Sequence, residues 1–313
     1  MSVRAEMLRL GTRCLLKGKP GPAASLAERR RRAAAADRWV RGPPPGIERV
    51  AVDAGGVAAE WVAAPVAQAG VNILYLHGGG YVIGSPSLYR NLTWRLARAA
   101  AARLLAVDYR LAPEHPFPAA VDDAMTAYEW ILAGGADPRR LVVVGDSAGG
   151  GLAFALLLRC RDEARLPLPA AVVALSPWTD LALTGASLAG NAVADPFLDA
   201  NGIPPIAEYY LAGADPRHPY ASPLYGDPTG LPPALLQVGG DEVLRDDATR
   251  MADRLRAAGC EVTLEVWPRM PHVWHLFASV MPEARRAIAR IGAFVRERIA
   301  VTTGEPRPGG RRE

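Results

Sequence analysis

From residue 71 onward, short apolar runs alternate with longer stretches of helical character, and this rhythm limits the fold more than any other feature. The runs are Val71–Leu76, Leu104–Val107, Leu141–Val144, Ala171–Leu175 and Ala234–Val238. Between and after them lie Leu88–Ala102, Ala120–Ala133, Gly149–Arg161, Asp247–Ala258 and Pro282–Ile299, each predicted as a helix. The runs are continuously apolar rather than alternating, so the strands they form must be covered on both faces. Strands alternating with helices imply βαβ units and a mainly parallel sheet between two helical layers. Ahead of this region, Glu48–Val52 and Val57–Ala63 flank the turn pair Gly55-Gly56, which predicts an antiparallel hairpin at one sheet edge. No internal repeat is visible.

The flanks differ in composition. Residues 1–40 are rich in Ala, Leu and Arg and stop at the breaker Gly42-Pro43-Pro44-Pro45-Gly46. Residues 180–215 are rich in Gly and Pro and hold no convincing strand. The predicted organisation is a helical N-terminal cap segment over 1–45 and one α/β domain over 46–303. An insertion at about 180–215 would join the N-terminal helix as a lid. A polar tail over 304–313 is expected to be disordered.

Bulk properties exclude several classes. With 50% hydrophobic and 22% charged residues the chain reads as an ordinary soluble protein. Nowhere are there the ~18 uninterrupted apolar residues of a membrane span, and Met1–Pro22 lacks the apolar core of a signal peptide. No membrane insertion is expected. The three cysteines, Cys14, Cys160 and Cys260, have no CxxC spacing, which speaks against a disulfide framework or a zinc site and suits a reducing cytoplasm. A net charge of +4 draws on Arg29–Arg32 and the C-terminal arginines. Because the Arg run sits in an Ala-rich helical stretch without interleaved aromatics, it reads as a solvated face, and no nucleic-acid partner is expected.

Chemistry enters at Gly145-Asp146-Ser147-Ala148-Gly149, directly after the run Leu141–Val144 and directly before an apolar helix. A serine on a tight strand-to-helix turn is forced into strained geometry, needs small neighbours, and projects its hydroxyl above the carboxyl end of the sheet. This is the nucleophile elbow of the α/β-hydrolase fold, with Ser147 as nucleophile. His77-Gly78-Gly79-Gly80 follows another strand, and its glycines can turn backbone N–H groups into a pocket. With the N–H of Ala148 at the helix start, Gly78, Gly79 and Gly80 are the expected oxyanion donors. The base must follow the nucleophile in this fold, leaving His218, His272 and His275. His272, in a loop after Val262–Trp267, is favoured. His275 is its rival, otherwise lining the pocket or packing, and His77 is expected to hold the glycine loop. Tyr81, Trp178 and Trp274 are candidate apolar pocket walls.

Several linked segments together resemble the bacterial hormone-sensitive-lipase-like esterases, the GDXG lipolytic family. They are His77–Tyr81, Asp108–Glu114, Gly145–Gly150, Ser176-Pro177-Trp178 and the loops holding acid and histidine, all within Gly55–Ala293. The resemblance implies a carboxylic-ester hydrolase with an N-terminal cap, needing no metal or organic cofactor and often dimeric, that acts on a small-molecule ester. It also places the acid. The family's Val-Gly-x-x-Asp-x-Leu-x-Asp-Asp, laid on Val238–Asp247, puts Glu242 where the family has Asp, with Asp241 as the neighbouring alternative. Either carboxylate can orient an imidazole. Asp246 and Asp247 are expected to cap the next helix, and Asp108, Arg110 and Glu114 to pair with one another beneath the oxyanion loop. Short- to medium-chain esters are the expected substrates. A lactone or N-acetyl hydrolase would use the same parts, and a non-catalytic receptor, as in plant gibberellin receptors that lack the histidine, is a remote third reading.

Overall fold

Every apolar run becomes a strand, and the side-chain period of two decides which layer each residue joins. In the computed structural model, which describes Ser2, Glu6 and residues 25–37 and 43–303, the strands are β1 (Glu48–Asp53), β2 (Ala58–Ala63), β3 (Asn72–Leu76), β4 (Arg103–Val107), β5 (Leu141–Asp146), β6 (Ala171–Leu175), β7 (Ala234–Gly239) and β8 (Val262–Trp267). They form one sheet in the order β1-β2-β4-β3-β5-β6-β7-β8. The hairpin β1/β2 and the pair β2/β4 are antiparallel. All remaining pairings are parallel.

The helices are α1 (Leu26–Asp37), α2 (Pro86–Ala100), α3 (Ala119–Ala133), α4 (Ala148–Glu163), α5 (Ser187–Gly190), α6 (Ile203–Leu211), α7 (Arg245–Ala257) and α8 (Pro282–Thr303). Leu74 and Leu76 of β3, Val143 of β5 and Val172 of β6 pack into one core with α3, α4 and α7. Their neighbours Ile73, Tyr75, Val144 and Val173 pack into a second core with α2 and α8. Two-sided burial explains the unbroken apolar runs. Edge strand β1 is exposed along most of its length.

This topology fixes where a site can form. The chain runs from β3 to β4 on one side and then returns to β5 on the other side of β3, so the crevice of the sheet lies above the carboxyl ends of β3 and β5. The loops after β3, β5, β6, β7 and β8 all rise on that side, because these strands are parallel.

The flanking segments hold most of the differences from expectation. Of the N-terminal stretch, the described part is α1, and the remainder lies largely outside the described residues, as does the whole 304–313 tail. Arg30 of α1 is not on a solvated face. Its guanidinium donates to the carbonyls of Val82 and Ala112, at 2.8 and 2.7 Å, and grips Glu114 with both terminal nitrogens. Glu114 therefore serves α1 rather than Arg110, which instead holds the buried Asp123, while Asp108 is exposed.

The 180–215 segment contains α5 and α6, the latter opened by Pro204 and Pro205 where missing N–H groups cost nothing. Carboxylates tie it down, Asp195 and Asp247 buried and Asp246 half-buried. Asp195 accepts from the N–H groups of Phe197, Leu198 and Val243 at 2.8–3.0 Å. Asp246 accepts from Ser187 N–H, and Asp247 accepts from the N–H groups of Thr179 and Asp180. These last two carboxylates were expected to cap α7, yet the N–H groups they accept from are those of Ser187, Thr179 and Asp180.

Among the described residues no helix is long and apolar enough to cross a membrane. The contact of α8 with α2 supplies a stability test. A methyl added at Gly292 would lie 2.3 Å from the carbonyl oxygen of Ala99. Alanine gains up to about 1 kcal/mol of helix propensity over glycine, whereas a backbone clash in a packed core costs about 1–3 kcal/mol. Gly292→Ala should therefore lower the urea midpoint while kcat/KM per folded molecule stays within twofold. A raised midpoint would show that the two helices separate freely.

Candidate active site

Ser147 sits between β5 and α4 with φ 52° and ψ −122°, in the left-handed half of backbone space that costs a side-chain-bearing residue energy. Close packing enforces the turn. A Cβ at Gly149 would stand 2.1 Å from the carbonyl oxygen of Leu76, so no larger residue lets α4 press onto β3. The Ser147 N–H donates to Leu175 O of β6 at 2.8 Å, and its carbonyl accepts from Trp178 N–H at 2.8 Å. The residue is therefore held on both sides.

His272 reaches it from the loop after β8. Its Nε2 lies 2.9 Å from Ser147 Oγ, and its Nδ1 lies 2.9 Å from Glu242 Oε2. An ionised carboxylate only accepts, so the proton of the neutral ring belongs on Nδ1, leaving Nε2 to accept from the serine hydroxyl. Glu242 is fully buried, and its Oε1 accepts from Ser176 Oγ at 2.7 Å and from Gly239 N–H at 2.5 Å. Asp241 is partly exposed and is not a partner of His272. Of the two carboxylates, only Glu242 meets the imidazole.

The other histidines separate cleanly. His275 is buried one turn further on, with Nε2 2.8 Å from Gln237 Oε1, and burial pulls it down to about 3. It is a neutral packing residue. His77 lies stacked on Tyr109 at 4.3 Å with Nδ1 2.7 Å from Gly78 O, and burial lowers it to about 4. It holds the glycine loop.

Electrostatics favour a proton on the His272–Glu242 pair. Burial alone would lower His272, but the hydrogen bond and charge of Glu242 outweigh it, and Asp195 and Asp146 add to them, so its pKa stands above the ordinary 6.5. Burial raises the Glu242 carboxyl, against the pull of His272, Ser176 and Gly239. Burial likewise pushes Asp146 up to about 6.

The glycine loop after β3 departs from expectation at one residue. The Gly78 N–H donates to Asp146 Oδ1 at 2.9 Å and cannot turn into the pocket. Among the described residues the N–H groups of Gly79, Gly80 and Ala148 have no acceptor, and Gly79 and Gly80 line the cavity beside Ser147.

That cavity, about 250 Å³, is walled by Trp178, Ile83, Phe197, Leu198, Ile203, Ile206 and Leu276, with Ser147, His272, Asp146 and Tyr89 as its polar members. Trp178 is thus a wall as expected. Tyr81 and Trp274 are not. Tyr81 lies behind the oxyanion loop, stacked on Tyr210 at 3.8 Å, and Trp274 turns under the histidine loop against Trp267 and His275. The reason is backbone: Val273 takes φ 44°, which swings Trp274 into the core. The walls missed in the sequence come mostly from the insertion. Their signal was present as bulky apolar residues, Phe197-Leu198 and Ile203 with Ile206, within a Gly- and Pro-rich segment.

A serine hydroxyl, an imidazole and a buried carboxylate in line, beside three unpaired N–H groups, define a serine hydrolase. The comparisons agree. The family model described as an α/β-hydrolase fold matches residues 73–276. An acetyl-hydrolase of Streptomyces hygroscopicus is 52% identical over 264 residues, 84% of this chain and 85% of that protein. An esterase from the bacterial hormone-sensitive lipase family superposes with TM-score 0.90 at 46% identity, covering 96% of this chain and 99% of that one. EstE5, soaked with p-nitrophenyl butyrate, gives TM-score 0.90 at 44% identity over 96% and 100%. It is also known as an EstE5-PMSF structure, with TM-score 0.88 at 45% identity over 94% and 99%. The chain belongs to the α/β-hydrolase family and, within it, to the bacterial hormone-sensitive-lipase group of carboxylesterases.

Two outcomes follow from the geometry. Glu242→Gln should lower kcat by about 10⁴-fold, as loss of a triad acid does, and Asp241→Asn should lower it less than about threefold, since an exposed charge is screened. Equal losses in the two variants would contradict the assignment. The second outcome concerns pH. The base accepts a proton only when neutral, and a raised pKa means that neutrality is lost at a higher pH. The acid limb of kcat/KM should therefore bend above pH 6.5. A bend below that value would show that burial outweighs Glu242.

Proposed function

We propose that Ser147 is the nucleophile, His272 the general base and acid, and Glu242 the carboxylate that orients His272 and stabilises its cation. The supporting observation is the continuous path Ser147 Oγ, His272 Nε2, His272 Nδ1, Glu242 Oε2, with both steps at 2.9 Å. His272 takes the hydroxyl proton as Ser147 Oγ attacks the ester carbonyl. The developing oxyanion lies against the N–H groups of Gly79, Gly80 and Ala148. The ring then gives its proton to the leaving alcohol. Water, deprotonated by the same nitrogen, releases the acid from the acyl-enzyme and restores Ser147.

The cavity's size and apolar walls support short- to medium-chain acyl esters. A second reading is supported by the 52% identical acetyl-hydrolase: an acetyl group on oxygen or nitrogen, or a lactone, would use the same atoms. In this proposal the insertion over 180–215 and α1 form the cap. Supported by the open edge of β8, where Val266 is 43% exposed, a homodimer belongs to the proposal. So does a cytoplasmic location, supported by the unpaired Cys160 and Cys260.

A panel of p-nitrophenyl esters from acetate to laurate, run beside a lactone and an N-acetylated amine, separates these readings. Butyrate and hexanoate should give the highest kcat/KM, and Ser147→Ala should reduce turnover by at least about 10⁴-fold with the fold intact. A Ser147→Ala enzyme retaining a few per cent of activity would remove the proposed nucleophile. Preference for the amide or lactone over every ester would replace the first reading with the second.

A further inference from the structure

The turn Leu175–Trp178, at the carboxyl end of β6, bonds to Ser147, to Glu242 and to the loop that carries His272. Leu175 O and Trp178 N–H hold the backbone of Ser147 from either side, each at 2.8 Å. Between them Ser176 is fully buried and takes φ 46°, a conformation that disfavours any side chain. Its N–H donates to Gln237 O of β7 at 2.7 Å. Its hydroxyl does two things at once. The single proton goes to Glu242 Oε1 at 2.7 Å, and the oxygen accepts from the N–H of Val273, next to His272, at 3.1 Å. One oxygen thus spans the acid and the loop of the base, while the flanking backbone spans the nucleophile.

We propose that Ser176 is a positioning residue of the hydrolysis, which fixes the Glu242 carboxylate and the His272 loop in mutual register and holds the carboxylate in its ionised form. The inference rests on the Ser147–His272–Glu242 reading. Its physical basis is donor arithmetic. Glu242 is buried and receives three donors, from His272, Ser176 and Gly239. Removing the hydroxyl leaves Oε1 with one donor and leaves the buried Val273 N–H without an acceptor.

The loss has a direction in pH. Glu242 and His272 titrate as a pair, and the first proton the pair takes is the one that silences the base. A donor aimed at the carboxylate opposes that proton, so removing it makes the pair more basic. The other titratable groups facing the pair are Asp195 from the insertion, Asp146 from the end of β5 and the neutral His275 from the following turn, with Asp241 adjacent to Glu242 in the chain. The first three act on His272 through space and keep their own partners, and they are identical in the variant.

Ser176→Ala and Ser176→Gly, compared by pH-stat hydrolysis of p-nitrophenyl butyrate, test this. Both remove the hydroxyl, but glycine adopts φ 46° without strain and alanine does not. Both should lose kcat by about 10- to 100-fold, the range for a buried hydrogen bond to a charge, with KM within about threefold. In both, the acid limb of kcat/KM should rise by about 0.5–1 pH unit. If the alanine protein fails to fold, the glycine protein carries the test alone. Wild-type kcat in the glycine variant would overturn the proposal, because the hydroxyl would then be dispensable. A lowered kcat with an unmoved acid limb would overturn it too, reducing Ser176 to packing. Ser147→Ala runs alongside: activity surviving there strikes the triad reading itself, whatever the Ser176 variants do.

Discussion

The structure depends on one close approach, that of helix α4 to strand β3 across the glycines around Ser147. The carbonyl of Leu76 occupies the space where a side chain at Gly149 would stand, and this forces the strand to turn sharply into the helix. Strain at Ser147 follows directly. So does its use, because the turn exposes the hydroxyl and aims the first N–H groups of α4 at the same point in space. The energy that holds the strain comes from the two cores on either side of the sheet, which are filled by β3, β5 and β6. Burial of a single Val or Leu contributes roughly 1.5–3 kcal/mol, comparable to the cost of one strained residue.

The remaining parts are arranged around that point by topology. Parallel strands bring five loops to one side of the sheet, and each contributes a group: Gly79 and Gly80 after β3, Ser147 after β5, Ser176 after β6, Glu242 after β7, His272 after β8. Of the side-chain-bearing residues at or beside these positions, Tyr81, Ser147, Ser176 and Val273 take positive φ. Concentration of strain at one place is what a preorganised site requires, since the donors and acceptors then need not move when charge develops.

Sequence carried the fold almost completely, because two-sided burial leaves a local record: β6 begins and ends where its apolar run does, and β3, β4, β5 and β7 match theirs to within two residues. Ser147 and His272 were singled out by what stands immediately beside them in the chain, and the structure brings the two side chains together. Glu242 was legible only through family spacing, as nothing local distinguishes it from Asp241. What could not be read were long-range contacts. Tyr81 and Trp274 look like pocket walls until the positive φ of Tyr81 and Val273 turns them inward. Gly78 looks like an oxyanion donor until Asp146, distant in sequence, takes its N–H. Arg30 looks solvated until α1 is seen lying over Val82 and Ala112.

Asp195 shows how the insertion is coupled to this machinery. Its buried carboxylate shapes the turn that carries Phe197 and Leu198 to the cavity while its second oxygen holds Val243, the residue after Glu242. The cavity wall and the acid loop therefore share one anchor. The central claim, that Ser147 is the activated group in this arrangement, is tested most directly by reaction with a fluorophosphonate followed by intact-mass and peptide mass spectrometry. The account predicts one adduct per chain, on the peptide containing Ser147, appearing at the rate at which ester hydrolysis disappears. An adduct on another residue, or loss of activity without any adduct on Ser147, would contradict it.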